Sequence, residues 1–312
     1  MITYLVRSVI SGLVLLLAVT AIVFFAIYGT STSVARNILG QSATQSQVDA
    51  LNVKLGLNRP LFDQYGTWLT HAIRGDLGTS FFTGQSIATA LVSRLPITFS
   101  VVLLALLITL TVSSVLGLAA AARGGVIDRV IQSAVTAFYV FPVIILAIGM
   151  VYVFAVLLHW LPAIGYVSFS QSPLSWLASI TLPAVTLAVA GIAILTSQIR
   201  GAMIDELDRD YIRTLRSRGI SERSIMYKHA LRNAAAPALT TFSLLFIGLF
   251  AASFFIESVF GLPGFGQFSV TATTQGDFPA ILGVTVVSTV LVVVVNILVD
   301  LALGLLNPKV RS

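Results

Sequence analysis

Long uncharged apolar runs, separated by short polar ones, set the first reading of this chain. A helix that crosses a bilayer core needs roughly 20 apolar residues at 1.5 Å rise each. Six runs are long enough: Ser8–Tyr28, Pro96–Ala121, Val130–Leu158, Leu174–Ile199, Pro237–Glu257 and Phe278–Leu305. Arg7 before the first run fits a secretory leader. The run outlasts the ~7–15 residues of a leader's apolar core, however, and is read as a retained helix. The pattern predicts an all-α integral membrane protein with six transmembrane helices.

Composition agrees. Of 312 residues, 57% are hydrophobic and only 10% charged, against roughly 25% charged in soluble globular chains. Mean hydropathy is +0.97. The net charge of +6 does not indicate nucleic acid, because Lys and Arg gather in segments that alternate with uncharged ones. Arg123 and Arg129 follow the second run, a dense group from Arg200 to Arg232 follows the fourth, and Lys309 and Arg311 close the chain. The segments His159–Pro173 and Ser258–Asp277 carry no Lys or Arg. Both termini and the 200–236 segment are therefore expected on the cytoplasmic side. The longer first loop translocates regardless of its charges.

Several chemistries drop out. There is no cysteine, hence no disulfide or thiolate site. None of the three lysines ends a phosphate loop, and no histidine begins an H-E-x-x-H zinc motif. No cofactor is expected in this chain, and no metal or catalytic group.

The first loop, Thr30 to Arg94, reads as folded. Val48 to Leu55 suits a short helix ended by Gly56, with Leu57 folding back on Leu51. Pro60 suits the first turn of a second helix with Phe62, Tyr65, Leu69 and Ala72 on one face and Gly75 at its end. Trp68, Tyr65 and Phe62 suit a membrane interface. A structural cap and a role in docking a partner both stand as readings.

The segment from Ile204 to Ser221 is a charged island between two apolar spans. Met203, Ile204, Leu207, Tyr211 and Leu215 recur at helical spacing, giving one apolar and one charged face. With Gly219 in the left-handed C′ position, Ile220 and Leu215 become the C″ and C3 residues of a Schellman motif. Ser221 then N-caps a second helix bearing Ile225, Met226, Ala230 and Leu231, closed by Arg232 and Asn233 before Pro237. The result is a compact knob of two short helices. An amphipathic linker lying on anionic lipid is the plainer reading; the interspersed Asp205, Glu206, Asp208, Asp210 and Glu222 count against it.

Inside the spans, Pro142 and Pro183 free the carbonyls of Phe138 and Ser179. Either these kinks open a vestibule or neighbouring hydroxyls fill them. Glu257, beside the Gly261–Gly266 loop, is an ionisable group at a span end. It is either an outer-gate or partner-contact residue, or a solvated cap. Asn296 and Asp300 share a helix face, and Asp300 is expected to pair with an arginine.

The island resembles the cytoplasmic loop of ABC-importer permeases, specifically the first (B-type) permease of the peptide/nickel class. The residues carrying this are Asp210-Tyr211-Ile212-Arg213-Thr214-Leu215-Arg216-Ser217-Arg218-Gly219, followed by His229-Ala230-Leu231-Arg232-Asn233-Ala234. Arg213-Thr214-Leu215 stands where importers broadly have Glu-Ala-Ala, and Leu215 where the class has a small residue. Similar pieces run along the chain in family order: Leu55–Pro60, Arg74–Ser80, Arg94–Thr98, Glu257–Gly266 including Pro263, Gly264 and Gly266, and Asn307–Arg311.

The resemblance implies a non-catalytic permease subunit in a bacterial or archaeal cell membrane, working by alternating access. Its implied partners are membrane lipid, a second homologous permease, two ATP-binding subunits that hold ATP and Mg, and an extracytoplasmic substrate-binding protein. Residues 1–93 would form the first helix and outer helical region, and 94–312 the transmembrane domain. Leu207, Asp210, Tyr211, Ile212, Arg213, Thr214, Leu215, Arg216, Arg218, Gly219 and Ile220 would couple to the ATPase. In that scheme Leu207, Tyr211, Ile212 and Leu215 fill its groove, and Arg213, Arg216 and Arg218 set the register. Glu257, Pro263, Gly264, Gly266, Pro142 and Pro183 are the gate or pathway candidates. Di- or oligopeptides are the implied cargo, with nickel, glutathione or another small solute as alternatives in the same class. A secondary transporter is the more distant alternative; it would want paired ionisable groups near mid-membrane.

Overall fold

The computed structural model describes residues 2–28, 34–40 and 42–306, without the side chains of 2–6, 37, 236, 300 and 302–306. Thirteen α-helices are seen among these residues. The one β feature among them is an isolated bridge between Thr79 and Ser86. Among the described residues five helices are long and apolar enough to cross a membrane, or six spans if one bent pair is counted as a span.

The chain divides into two compact units, residues 1–97 with 263–297, and 98–262 with 298–312. In the first, α1 (Ile2–Tyr28) packs against α13 (Phe278–Leu306), where Gly12 brings α1 against Val293. Three short helices follow α1: α2 (Val34–Leu39), α3 (Gln45–Lys54) and α4 (Leu61–Ile73). The α3 helix ends as expected, with Leu57 N–H donating to Asn52 O and Gly56 N–H to Val53 O. The packed face of α4 differs from the expected one. Leu61, Tyr65 and Trp68 join the cluster around Phe24, Tyr28, Val34, Phe278 and Leu282, whereas Phe62 is 79% exposed. Position 62 lies one residue off the Leu61–Tyr65–Trp68 stripe, and so on its edge. Tyr65 OH also reaches Thr20 Oγ1 at 3.1 Å and Leu17 O at 3.3 Å, tying α4 along α1. The buried Asp277, just before α13, accepts from Ser80 Oγ and from Phe81 N–H at 3.2 Å, which pins the 79–86 turn.

In the second unit, α5 (Ile87–Arg123, its first turns in the other unit) and α8 (Pro173–Leu207) are each about 50–55 Å long, well beyond a bilayer core of roughly 30 Å. They cross where Gly117 meets Ile199 and Thr196, and where Gly191 meets Thr109. Small residues of this kind let helix backbones approach closely in membranes.

Boundaries depart from expectation in two places. First, the helix expected to open at Pro96 begins at Ile87. Second, the Val130–Leu158 run is two pieces, α6 (Gly125–Val140) and α7 (Val143–Met150, continuing as a π-helix over Val151–Leu157), bent by 97° at Phe141–Pro142. Pro142 caps the second piece instead of kinking a continuous helix, because it has no N–H to give and its ψ of 132° lies outside the helical region. Pro183, in contrast, sits inside an unbroken α8, within the span where it was expected. The Ser179 hydroxyl, one turn earlier, donates to Trp176 O and accepts from Val167 N–H. The Asp300 side chain and the Asn307–Arg311 segment lie outside the described residues.

Candidate functional site

The island folds differently from a single amphipathic helix. α8 runs to Leu207, Arg209 takes an extended conformation (ψ 149°), and α9 spans Asp210–Ser217. One extended residue redirects the chain, so the apolar side of α9 turns back on the base from which it came. Ile212 is fully buried with Leu195, Ile199, Met203, Ile225, Ala230, Ala234 and Leu245; Leu207, Tyr211, Leu215 and Ile220 pack on that cluster. The expectation that Ile212 fills a partner's groove is corrected accordingly: its side chain is buried among this chain's own helices, where leaving water stabilises it, while Leu207, Tyr211 and Leu215 are half-buried on the same cluster.

The opposite face is open. Arg209, Asp210, Arg213, Thr214, Arg216, Ser217 and Arg218 are exposed, and Tyr227 and Lys228 beyond the turn are exposed too. The turn itself is the expected Schellman motif: Gly219 has φ +74°, Gly219 N–H donates to Arg216 O at 2.9 Å, and Ile220 N–H to Leu215 O at 3.2 Å. Ser221 begins the next helix without a side-chain capping bond. That helix does not close at Asn233. It runs from α10 (Glu222–Ser224) through a π-helical stretch (Ile225–Ala230) into α11 (Leu231–Val259), with Pro237 inside it. The knob is therefore one short helix, α9, carried between the ends of two long ones.

Sequence reading missed the polar group that fixes this arrangement. Glu206 is only 4% exposed. Its Oε1 accepts from Tyr211 OH at 2.7 Å and from Asn233 Nδ2 at 2.8 Å, and Arg209 Nε lies 3.0 Å from Oε2. Asn233 Nδ2 also donates to Tyr211 OH at 3.2 Å, closing a triangle across α8, α9 and α11. Burial, and then donation to Glu206, raise the Tyr211 phenol above its ordinary value. An acid three residues before an arginine is visible in sequence; its burial and a partner 27 residues away are not.

Across the turn, Arg216 Nε donates to Glu222 Oε1 at 2.7 Å. That hydrogen bond lowers the Glu222 carboxyl below its ordinary value. A carboxyl lowered in the folded state contributes stability above its unfolded pKa and loses it as pH falls through the folded one. Acidification below about pH 4.5 is therefore expected to loosen the 216–222 turn slightly. Glu222→Gln should remove that step in a pH series of amide exchange across residues 216–222.

The outer-end candidates divide. Glu257 is fully buried, with Thr98 Oγ1 donating to its Oε1, so it is not a solvated cap. α11 ends just beyond it through Gly261 (φ +59°), with Leu262 N–H bonded to Glu257 O at 2.9 Å. In the other unit Pro263 is exposed, while Gly264 and Gly266 are buried at the start of α12 (Phe265–Gln275). Among the described residues no cluster of His, Cys, Asp or Glu could hold a metal.

Comparison with known proteins places the chain. Residues 113–312 match the family described as binding-protein-dependent transport system inner membrane component, and residues 1–102 match the N-terminal region of such components. The chain is 40% identical over 275 residues (88% of each chain) to a Brucella abortus protein named as a peptide transport system permease. It is 31% identical over 315 residues (100% of each) to the Bacillus subtilis oligopeptide transport system permease protein AppB. A solved chain of the MetNI methionine ABC transporter aligns with a TM-score of 0.49 at 20% identity, over 68% of this chain and 92% of that one. The chain belongs to the binding-protein-dependent inner-membrane transport family. It is a multi-pass inner-membrane permease of an ABC importer.

Proposed function

We propose that this chain forms half of the pathway of an ATP-driven peptide importer, and that α9 is where the ATPase subunit docks. The observation carrying the docking reading is the split of α9 into a buried apolar side around Ile212 and an exposed side rich in arginine. Peptide as cargo is supported by the names of the relatives in Brucella and Bacillus.

In this reading six spans cross the membrane, with the α6–α7 pair as the third and both termini cytoplasmic. Residues 94–312 form the transmembrane domain; residues 1–93 supply the first helix and the outer helices. A second permease, two ATPase subunits and an extracytoplasmic binding protein complete the assembly. ATP and Mg are held by the ATPase subunits, and this chain is itself non-catalytic. Arg213, Arg216 and Arg218 set the docking register. The buried contacts of Ile212 and the Glu206–Tyr211–Asn233 triangle pass ATPase movement to α8 and α11. Glu257, bonded to Thr98, steadies the outer ends of α11 and α5 as the pathway opens.

Two experiments test this. The tagged chain, taken from native membranes in mild detergent, should carry with it a second permease and ATPase subunits. Charge reversal of Arg213 and Arg216 should release the ATPase; a chain that purifies alone and transports alone overturns the reading. Separately, Gly219→Val forces a β-branched residue into left-handed backbone, which costs about 1–2 kcal/mol locally even though nothing lies within 4 Å of a Cβ there. It should impair uptake and leave membrane insertion intact, as read by vesicle uptake and by the amount of protein in the membrane fraction.

A further inference from the structure

We propose that α4 lies flat in the outer leaflet of the membrane, with Phe62, Leu69 and Ile73 seated among lipid acyl chains. The choice of leaflet rests on the orientation proposed above. Two ring contacts fix how α4 meets α1. Phe62 packs on Phe25 with ring centroids 5.1 Å apart, and Trp68 on Phe24 at 6.5 Å. Phe24 and Phe25 are neighbours at nearly one height on α1, whereas Phe62 and Trp68 stand about 9 Å apart along α4. The helix therefore runs crosswise to α1, whose Arg7–Tyr28 segment is long and apolar enough to cross the bilayer. A helix that lies across a span lies along the membrane plane.

Depth follows from the same contacts. Tyr28 ends the α1 span, and an aromatic there suits the headgroup level. Phe24 and Phe25 lie about 5–6 Å further in. That is within the ~5–10 Å at which an amphipathic helix beds its apolar face in the interface. Tyr65 marks the inward direction, because its hydroxyl reaches Thr20 Oγ1 and Leu17 O, both nearer the middle of the span. At 3.6 residues per turn, Leu61, Phe62, Trp68, Leu69, Ala72 and Ile73 fall within about 80° of Tyr65 and face inward with it. Asp63, Thr70, His71 and Arg74 fall on the opposite side and are exposed.

This chain covers only one flank of that inward face. Leu61, Tyr65 and Trp68 join the cluster around Phe24 and Phe278. On the other flank Phe62 is 79% and Ile73 78% exposed, with Leu69 half-buried between them. At about the same depth α1 exposes Ile22, which is 69% accessible on a span that meets lipid. A soluble partner would have to reach below the headgroups to cover the α4 flank; acyl chains are already there. An in-plane helix tied to α1 in this way holds the outer helices against the bilayer and leaves their polar side to water.

Because the chain has no cysteine, single nitroxide labels report cleanly. Phe62→Cys, Ile73→Cys and Thr70→Cys, with Val14→Cys as a lipid reference from mid-α1 (62% exposed), are labelled in the complete transporter. It is reconstituted in liposomes of phosphatidylethanolamine and phosphatidylglycerol. Electron paramagnetic resonance reads collisions with oxygen, which concentrates in lipid, and with a water-soluble chromium complex. Labels at 62 and 73 should favour oxygen, at a shallower depth than Val14→Cys, and Thr70→Cys should favour chromium. Adding Ile73→Asp to the Phe62→Cys chain puts a charge on the flank and should shift the label at 62 towards the Thr70→Cys ratio. Labels at 62 and 73 with the Thr70→Cys ratio would overturn the proposal. So would labels shielded from both reagents, because protein then covers the flank, or labels that lose chromium collisions only when the binding protein is added, because the flank is then its docking site. In right-side-out membrane vesicles an impermeant thiol reagent should modify Thr70→Cys. Its failure to do so strikes the orientation, and the outer-leaflet assignment falls with it. Modification of Thr70→Cys alongside water-exposed labels at 62 and 73 strikes the lipid flank alone.

Discussion

Ile212→Ala is expected to detach α9 from its base and abolish ATP-driven uptake. The side chain is fully buried in a cluster drawn from α8, α9 and the start of the α10–α11 helix. Truncating a buried isoleucine typically costs about 2–5 kcal/mol, because a cavity is left behind. That loss falls on an eight-residue helix in which Ile212 is the one fully buried side chain among its described residues. The spans are untouched, so the chain should still insert. A lowered melting temperature of the purified chain, with loss of ATPase subunits from the complex, would bear this out. Unchanged stability would show that α9 is held from outside.

Asn233→Leu should separate ATP hydrolysis from transport. The substitution nearly keeps the volume but leaves Tyr211 and Glu206 without the donor that ties them to α11. Asn233 is itself exposed, but the carboxylate it serves is buried; a hydrogen bond to a charged group contributes about 1.5–3 kcal/mol, enough to lower solute moved per ATP by roughly tenfold. The exposed arginines of α9 are unaltered, so the ATPase should remain bound and active. Uptake and phosphate release measured on the same proteoliposomes give the ratio. A ratio equal to wild type would remove the triangle from the coupling path and leave it a structural clasp. Tyr211→Phe, which keeps the packing and removes one hydroxyl, should give a smaller drop in the same direction.

Both predictions rest on residues that the sequence presented unequally. The Gly219 turn was legible because a left-handed C-cap is a local matter of backbone sterics, signalled by one glycine and the apolar residues around it. The exit of α3 through Gly56 was legible for the same reason. The role of Ile212 was misread: the resemblance set it in a partner's groove, and an apolar residue in sequence does not say which surface it meets. Only the extended Arg209 turns it inward. Likewise Phe62 and Tyr65 share an apolar helix face in sequence, yet the α1 and α13 neighbours take Tyr65 and leave Phe62 outside.

Within a membrane, backbone hydrogen bonds must close locally and apolar length must match the bilayer, so composition and run length by themselves determine an all-helical, multi-pass chain. They locate the charged island and, through the alternation of positive charge, the side of the membrane on which it is expected. Tertiary structure alone decides what depends on distant pairing. It closes the Glu206–Tyr211–Asn233 triangle and buries Glu257 against Thr98. In each case the free energy resides in a contact between residues tens of positions apart, or in helix rotation, and no local pattern encodes either.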